Sequence, residues 1–431
     1  MAIQEVNADV RVAGGRDRRE AALALVRDGV FEPATDLLKA ELASGDGGAR
    51  WLTDEIVRAM QADDLRFAGD LARISASLRY GPRPATTVAA TEADESPSAD
   101  DRRLSADKLR HDIDQFRYLQ SIGVLGTEVD GVVRGYEEAI TGLERGGPEA
   151  RRPVSPDDSA AIRETYARLG HVRDTPRIAQ ALSAAWDPAE VEDRYLHNRP
   201  GLVVIDDFLH PDALAGLQAF CLESTVWNGN RYPYGRLGAF FDSGFNCPLV
   251  LQVAEELRGR FPRMIGQRHT LRQLWGFKYP PHLPPDSTIH ADFAAVNVNF
   301  WITPDRANRD ASTGGLIVYD VDAPPDWDFV SYNERLDLIK EFLRRSGAKA
   351  IYVPYRENRA IVFNSDLFHA TAEVDFGSAY TDRRINITML YGVREHDDLH
   401  PTRASAPTNG DSAPSVTPSW RSAAFSRTRR R

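Results

Sequence analysis

"DSTIHADFAAVNVNFWITP", residues 286–304, sets a His and an Asp two apart at the head of an alternating run. Period two puts His290 and Asp292 on the same side of an extended chain. They are either two ligands of one metal or two polar residues at the mouth of a strand. The spacing does not decide between these. A face of two imidazoles and one carboxylate needs a third donor from elsewhere in the chain.

His-x-Asp occurs three times, and context separates the three. In His210-Pro-Asp212 the Pro and Asp suit the first turn of a helix. His396-Asp-Asp398 stands in "REHDDLH", a charged surface stretch. His290-Ala-Asp292 alone opens a long strand within a β-rich region.

"RAIVFNSDLFHATAEV", residues 359–374, offers His369 as the third donor. Taken alone, such a residue is more often a plain core or turn histidine. The next strand, "RRINITMLYG", strengthens the metal reading. Arg384, Asn386 and Thr388 share one face there, and Ile385, Ile387 and Met389 share the other. Arg384 would carry a planar, permanently charged fork into the space that His369 faces. A buried guanidinium needs an anionic partner, and a carboxylate matches it in two parallel hydrogen bonds. The bland alternative is a pair of surface arginines, which suits Arg383.

The chain has 431 residues, which predicts two or three domains. Its 42% apolar and 27% charged residues are ordinary globular values. A net charge of −10 argues against a protein built to hold nucleic acid. Two cysteines, Cys221 and Cys247, make no disulfide framework. No apolar run reaches ~18 residues, so no membrane span is expected. The opening "MAIQEVNADVRVAGGRDRRE" lacks the apolar heart of a secretion signal, and a cytoplasmic location is expected.

Residues 1–80 read as helical, with Leu25, Gly29, Ala34 and Leu38 spaced as in a tetratricopeptide-like hairpin; an ordinary bundle fits as well. Residues 81–106 are small, polar and Pro-containing, as in a linker. Helical periodicity returns over 107–195. Residues 196–397 carry many short strands broken by Gly, Pro and Asn, with one helix near 333–345. The tail, 398–431, ends in "SRTRRR" and reads as disordered and basic. The fold class is α+β, an all-α region followed by a jelly roll.

Six blocks in this order resemble the iron(II)- and 2-oxoglutarate-dependent dioxygenases, particularly their prolyl 4-hydroxylase-like branch. They are "GLVVIDDFLHPDAL", "WGFKYPP", "HADF", "TGGLIVYD", "FNSDLFHATAEV" and "RINIT", spread over residues 200–393. The resemblance implies a double-stranded β-helix in which His290, Asp292 and His369 hold Fe(II). It implies that Arg384 binds the distal carboxylate of 2-oxoglutarate and that Tyr279 donates a hydrogen bond nearby. Asn299 either lines the co-substrate site or is an ordinary sheet-face residue. O2 is the second co-substrate, and hydroxylation of an unactivated carbon the commonest outcome. Desaturation, cyclisation and epimerisation stay open, whereas the carboxylate at Asp292 argues against a halide-binding variant.

This chain departs from the family pattern by a helical insert over 321–350, which either covers the active site or packs outside the sandwich. A loop over 224–248 supplies candidate substrate contacts: Trp227, Arg231, Tyr232, Tyr234 and Arg236. The two arginines suit a carboxylate-bearing substrate. Three functions are in play. The first is oxidation of a small amino acid-like or natural-product substrate. The second is hydroxylation of a peptide or protein partner recruited through the N-terminal helices. The third is a non-catalytic helical interaction protein.

Overall fold

The computed structural model describes residues 15–43, 47–81, 103–147, 150–284 and 289–394. Most of the expected linker and the whole expected tail lie outside these residues.

The first helices form two antiparallel hairpins, α1 (Gly15–Arg27) with α2 (Phe31–Ala43) and α3 (Gly48–Gln61) with α4 (Leu65–Tyr80). Gly29 makes the first turn at φ 74°, a conformation that only glycine adopts without cost. Helix α4 is buried on most sides, as the run Leu65, Phe67, Ala68, Leu71 and Ala72 demands. The Gly69 backbone rests against Leu251, and Arg73 Nη1 donates to the Asn246 carbonyl at 3.1 Å. The four helices thus share one core with the β-rich region that follows.

A second helical group has a small core of its own. Strands β1 (Leu104–Ser105) and β2 (Arg151–Arg152) pair and bracket α5 (Ala106–Ser121) and α6 (Val129–Glu144). Helix α7 (Ala160–Thr165) completes the group, whereas α8 (Pro188–His197) packs on the main core through Val191. Ser105 caps α5 by accepting from the Lys108 amide. Polar contacts attach α5 to the sheet. Gln115 Nε2 donates to Ser224 O at 2.9 Å, and Arg383 Nη2 reaches Asp114 Oδ2 at 2.8 Å. Arg383 is therefore no loose surface arginine; it ties α5 to the chain just before the last strand. No helix among the described residues is long and apolar enough to cross a membrane.

From residue 202 the period changes to two. Strands β3 (Leu202–Ile205), β10 (Ala360–Asn364), β7 (Val296–Trp301), β13 (Ile385–Tyr391), β5 (Leu271–Lys278) and β4 (Leu237–Phe240) form a six-stranded sheet in that order. Strands β11 (Leu367–Thr371), β8 (Leu316–Asp322) and β9 (Ala350–Val353) form a second sheet, and β6 (His282–Leu283) pairs with β12 (Val374–Asp375). The pairings are antiparallel. The chain passes repeatedly between the two sheets, which is the winding of a double-stranded β-helix, or jelly roll.

The larger sheet is buried on both faces. Val298, Phe300, Ile385, Ile387 and Met389 turn outward against α9 (Pro211–Glu223), α10 (Pro248–Arg260) and α4. Trp301, Ile361, Phe363 and Tyr279 turn inward to meet Leu316, Val318 and Val353 of the smaller sheet. Burying each such large apolar side chain stabilises the fold by about 2 kcal/mol. His210 sits at the N-terminus of α9, its Nδ1 accepting from the Asp212 amide at 3.2 Å. That His-x-Asp is a capping device, as the helix-start reading holds.

The insert forms α11 (Phe329–Asn333) and α12 (Leu336–Ser346). Its apolar residues pack on Ile289, Ala291, Phe368 and Ala370. These alternate along their strands with His290 and His369, so the insert lies on the outside of the smaller sheet. It covers the back of the chain that carries His290 and His369 rather than the inner space.

Candidate functional site

His290 and His369 face each other across a backbone bridge. His290 N donates to His369 O at 3.0 Å, and His369 N donates to His290 O at 2.8 Å. The imidazole centroids lie 4.4 Å apart. Asp292, two residues on, returns to the same side. His290 Nε2 lies 3.8 Å from Asp292 Oδ1, and His369 Nε2 lies 3.4 Å from Asp292 Oδ2. Among the described residues these three form the one cluster able to hold a metal, each offering one donor atom, with all donors within 4.8 Å of one another. Two imidazole nitrogens and a carboxylate on one side suit a first-row divalent metal with open positions.

Supporting contacts fix each donor. His369 Nδ1 is 3.0 Å from Leu367 O; a proton on that nitrogen leaves Nε2 free to bind a metal. Asn297 Nδ2 donates to Asp292 Oδ2 at 2.6 Å. Burial pushes the Asp292 carboxyl up, but His369, His290 and the Asn297 amide together hold it below the usual carboxylate range. The insert clamps the backbone between the first two donors. Ala291 N donates to Tyr332 O at 2.9 Å, and Asn333 Nδ2 donates to Ala291 O at 2.9 Å. His290 is 30% exposed against 5% for His369, so the cluster opens on the His290 side.

A run of polar side chains connects this cluster to Arg384. Asn299 Nδ2 donates to Asn297 Oδ1 at 2.5 Å. Asn299 Oδ1 accepts from Asn386 Nδ2 at 3.2 Å and from Thr388 Oγ1 at 2.7 Å. The register pairs Thr388 with Asn299 and Asn386 with Trp301, which brings these side chains to one inner face. Arg384 Nη1 lies 3.4 Å from Asn386 Oδ1.

Arg384 is 1% exposed. Its Nε donates to Gly314 O at 2.5 Å, and Nη2 lies 3.4 Å from Gly315 O. Its guanidinium lies 4.4 Å from the Tyr279 ring centroid, 5.5 Å from Trp301 and 6.0 Å from Tyr355. Among the described residues no carboxylate pairs with it. Burial accordingly pulls its pKa down. A side chain at Gly315 would collide with the Val353 carbonyl, so the Gly-Gly pair lets β9 close up while both carbonyls remain turned to Arg384.

Tyr279 stands beside Arg384, with its hydroxyl 3.2 Å from Thr371 Oγ1. Burial pushes the phenol up, but Arg384, Arg236 and the hydrogen bonds outweigh this and leave it below its ordinary range.

The loop candidates part company. Trp227 is 1% exposed and belongs to the helix–sheet core, where its indole donates to Cys221 O at 2.9 Å. It is a packing residue, buried because the loop's first turn passes under the sheet. Tyr234 is 55% exposed in a left-handed turn. Arg231 stacks over Tyr232 at 4.8 Å and Phe240 at 5.2 Å. Arg236 and Tyr232 sit against Phe277, next to Tyr279.

Asn297 was not among the expected site residues, although "VNVNFW" places it on the same face as Asn299. Trp301 carries the same signal. Tyr355 lies in a loop with no periodicity to mark it.

No family model matches the chain, and no curated protein matches its sequence. Among solved structures it is similar to a Pseudomonas putida prolyl-4-hydroxylase, at 15% identity and TM-score 0.30 over 50% of this chain and 99% of that one. It is also similar to the non-heme alpha-ketoglutarate-dependent carbocyclase SnoK from nogalamycin biosynthesis, at 13% and 0.36 over 54% and 98%. A third is HygX from Streptomyces hygroscopicus with nickel and 2-oxoglutarate bound, at 14% and 0.32 over 47% and 87%. With TM-scores under 0.5, the functional reading rests on the side chains.

Proposed function

We propose that the chain is an Fe(II)- and 2-oxoglutarate-dependent dioxygenase that hydroxylates an unactivated carbon of a small amino acid-like or natural-product substrate. One observation carries the reading. Three metal donors converge, and a polar side-chain run connects them to a buried guanidinium that no carboxylate among the described residues neutralises.

The donor set suits ferrous iron, and Arg384 suits the far carboxylate of a five-carbon dicarboxylate. With iron, 2-oxoglutarate and O2 bound, the group supplies oxidative decarboxylation of the keto acid coupled to oxidation of a C–H bond. His290, Asp292 and His369 would hold the metal by Nε2, a carboxylate oxygen and Nε2. Asn297, by holding Asp292 Oδ2, favours coordination through one oxygen. Arg384 would orient the keto acid with its fork, and Tyr279 and Thr371 would flank it. Trp301, Tyr355 and Phe363 give the inner space an apolar wall beside the polar run.

Two features favour a small substrate over a peptide held by the N-terminal helices. Those helices are part of the shared core. The insert is occupied in backing the ligand strands. A full donor set likewise disfavours a non-catalytic role. The test is anaerobic addition of Fe(II) and then 2-oxoglutarate to the purified protein. A visible charge-transfer band is expected, and His369→Ala should lose it. Absence of the band in the unmutated protein rejects the proposal.

A further inference from the structure

Arg236 stands just before β4, the edge strand beside β5. Its guanidinium carbon lies 4.9 Å from the Tyr232 ring centroid, 4.6 Å from Phe277 and 5.9 Å from Tyr279. Tyr232 meets Phe277 edge-on at 4.8 Å, so the rings make a fixed frame. The preceding turn is fixed too. Gly235 adopts φ 72° with its backbone against Asp107 of α5, where a side chain would crowd the carboxylate. Arg236 is therefore placed, not waving in solvent.

One of its donors is unmet. Arg236 Nε is buried without a partner, and no carboxylate among the described residues pairs with the group. A guanidinium that loses water at Nε and gains no acceptor carries a desolvation cost. Aromatic faces stabilise the charge but leave the fork's edge unused. Arg384 differs in that its Nε donates to Gly314 O, but it too lacks a carboxylate among the described residues, and both guanidinia approach Tyr279. The two differ in access, since Arg384 is buried whereas Arg236 is half-buried at the rim. One anion, the keto acid, answers Arg384. A second is wanted at the rim.

Resting on the oxygenase reading above, we propose that Arg236 is a substrate-binding residue that grips an anionic group, a carboxylate or phosphate, on the molecule to be oxidised. Tyr232 and Phe277 would pack on the adjoining carbon skeleton.

The test uses the full chain loaded anaerobically with Fe(II) and 2-oxoglutarate. Benzoate, phenyl phosphate and neutral benzamide are titrated by calorimetry. At least one anion should bind about tenfold or more tighter than benzamide. Arg236→Gln should erase that preference and leave benzamide binding unchanged, and Arg236→Lys should restore part of it. The concentration of 2-oxoglutarate that half-forms the charge-transfer band should stay the same in Arg236→Gln and rise in Arg384→Gln. Equal binding of anions and benzamide by the unmutated protein overturns the proposal. So does an anion preference that survives Arg236→Gln, or a loss confined to 2-oxoglutarate binding. If the band never forms yet Arg236 still selects anions, the oxygenase reading falls and the anion site stands. A normal band with no selectivity rejects the Arg236 assignment alone.

Discussion

His290 and His369 are backbone partners, exchanging two hydrogen bonds of 3.0 and 2.8 Å across an antiparallel bridge. Side chains of such a pair point the same way. The two imidazoles therefore meet because the strands pair, before any metal arrives. Phe363 braces the second ring at 4.9 Å. The site is preorganised by sheet register.

Asn297 should tune the metal through Asp292. Replacing it with Ala removes the 2.6 Å hydrogen bond to Asp292 Oδ2. Loss of such an outer contact weakens metal binding by about tenfold to a hundredfold. Competition with a chelator, using Co(II) as the probe, measures this. Unchanged affinity would mean that the carboxylate is held by other means.

Arg384→Gln should weaken 2-oxoglutarate binding by about 3 kcal/mol, roughly a hundredfold. Arg384→Lys should recover little, because an ammonium lacks the planar fork. Titration of the charge-transfer band reads both. Metal affinity should be unaffected, since Arg384 touches none of the three donors.

Gly315→Ala should damage the fold and the co-substrate site together. Its new methyl collides with the Val353 carbonyl, and the Gly315 carbonyl faces Arg384. A loss of about 3 kcal/mol or more is expected from urea unfolding. Gly123→Ala, at φ 75° in open space, should cost only about 1 kcal/mol. Equal losses would contradict the close-approach argument.

His111 should make the protein acid-sensitive. The ring is buried on α5, with Nδ1 2.9 Å from Asp112 Oδ1 and Nε2 without a partner. Burial, then the charges of Lys278, Arg383 and Lys108, hold its pKa well below 6.5. Between that lowered value and 6.5, the unfolded chain binds a proton that the folded chain refuses. This contribution is therefore fully present above pH 6.5 and is lost as pH falls below it. Asp112, raised by burial, works in the opposite sense at the acid end. Melting at about pH 7.5 and about pH 5.5 should show a larger drop for the unmutated protein than for His111→Asn. A drop of the same size in both would assign the acid sensitivity elsewhere.

Much of the inner site was legible because strands alternate. Period two alone put Arg384, Asn386 and Thr388 on one face and His290 with Asp292 on another. What alternation could not supply is which sheet faces which. Tyr355 reaches Arg384 only because the two sheets pack, and Arg383 finds Asp114 only because α5 docks there. Trp227 looked like a loop aromatic because nothing local reveals that the loop dives under the sheet. The position of the insert was ambiguous for the same reason. Its amphipathic helix announces an apolar face but not that Phe368 and Ala370 receive it. The shared core of α4 and α10 was equally hidden, since a helical hairpin reads alike whether it docks or stands free.

The most direct measurement is anomalous diffraction from crystals grown anaerobically with Mn(II) and 2-oxoglutarate. One manganese peak should lie within bonding distance of His290 Nε2, an Asp292 carboxylate oxygen and His369 Nε2, with the keto acid's far carboxylate on Arg384. A peak elsewhere, or a keto acid that leaves Arg384 unpaired, would contradict the account.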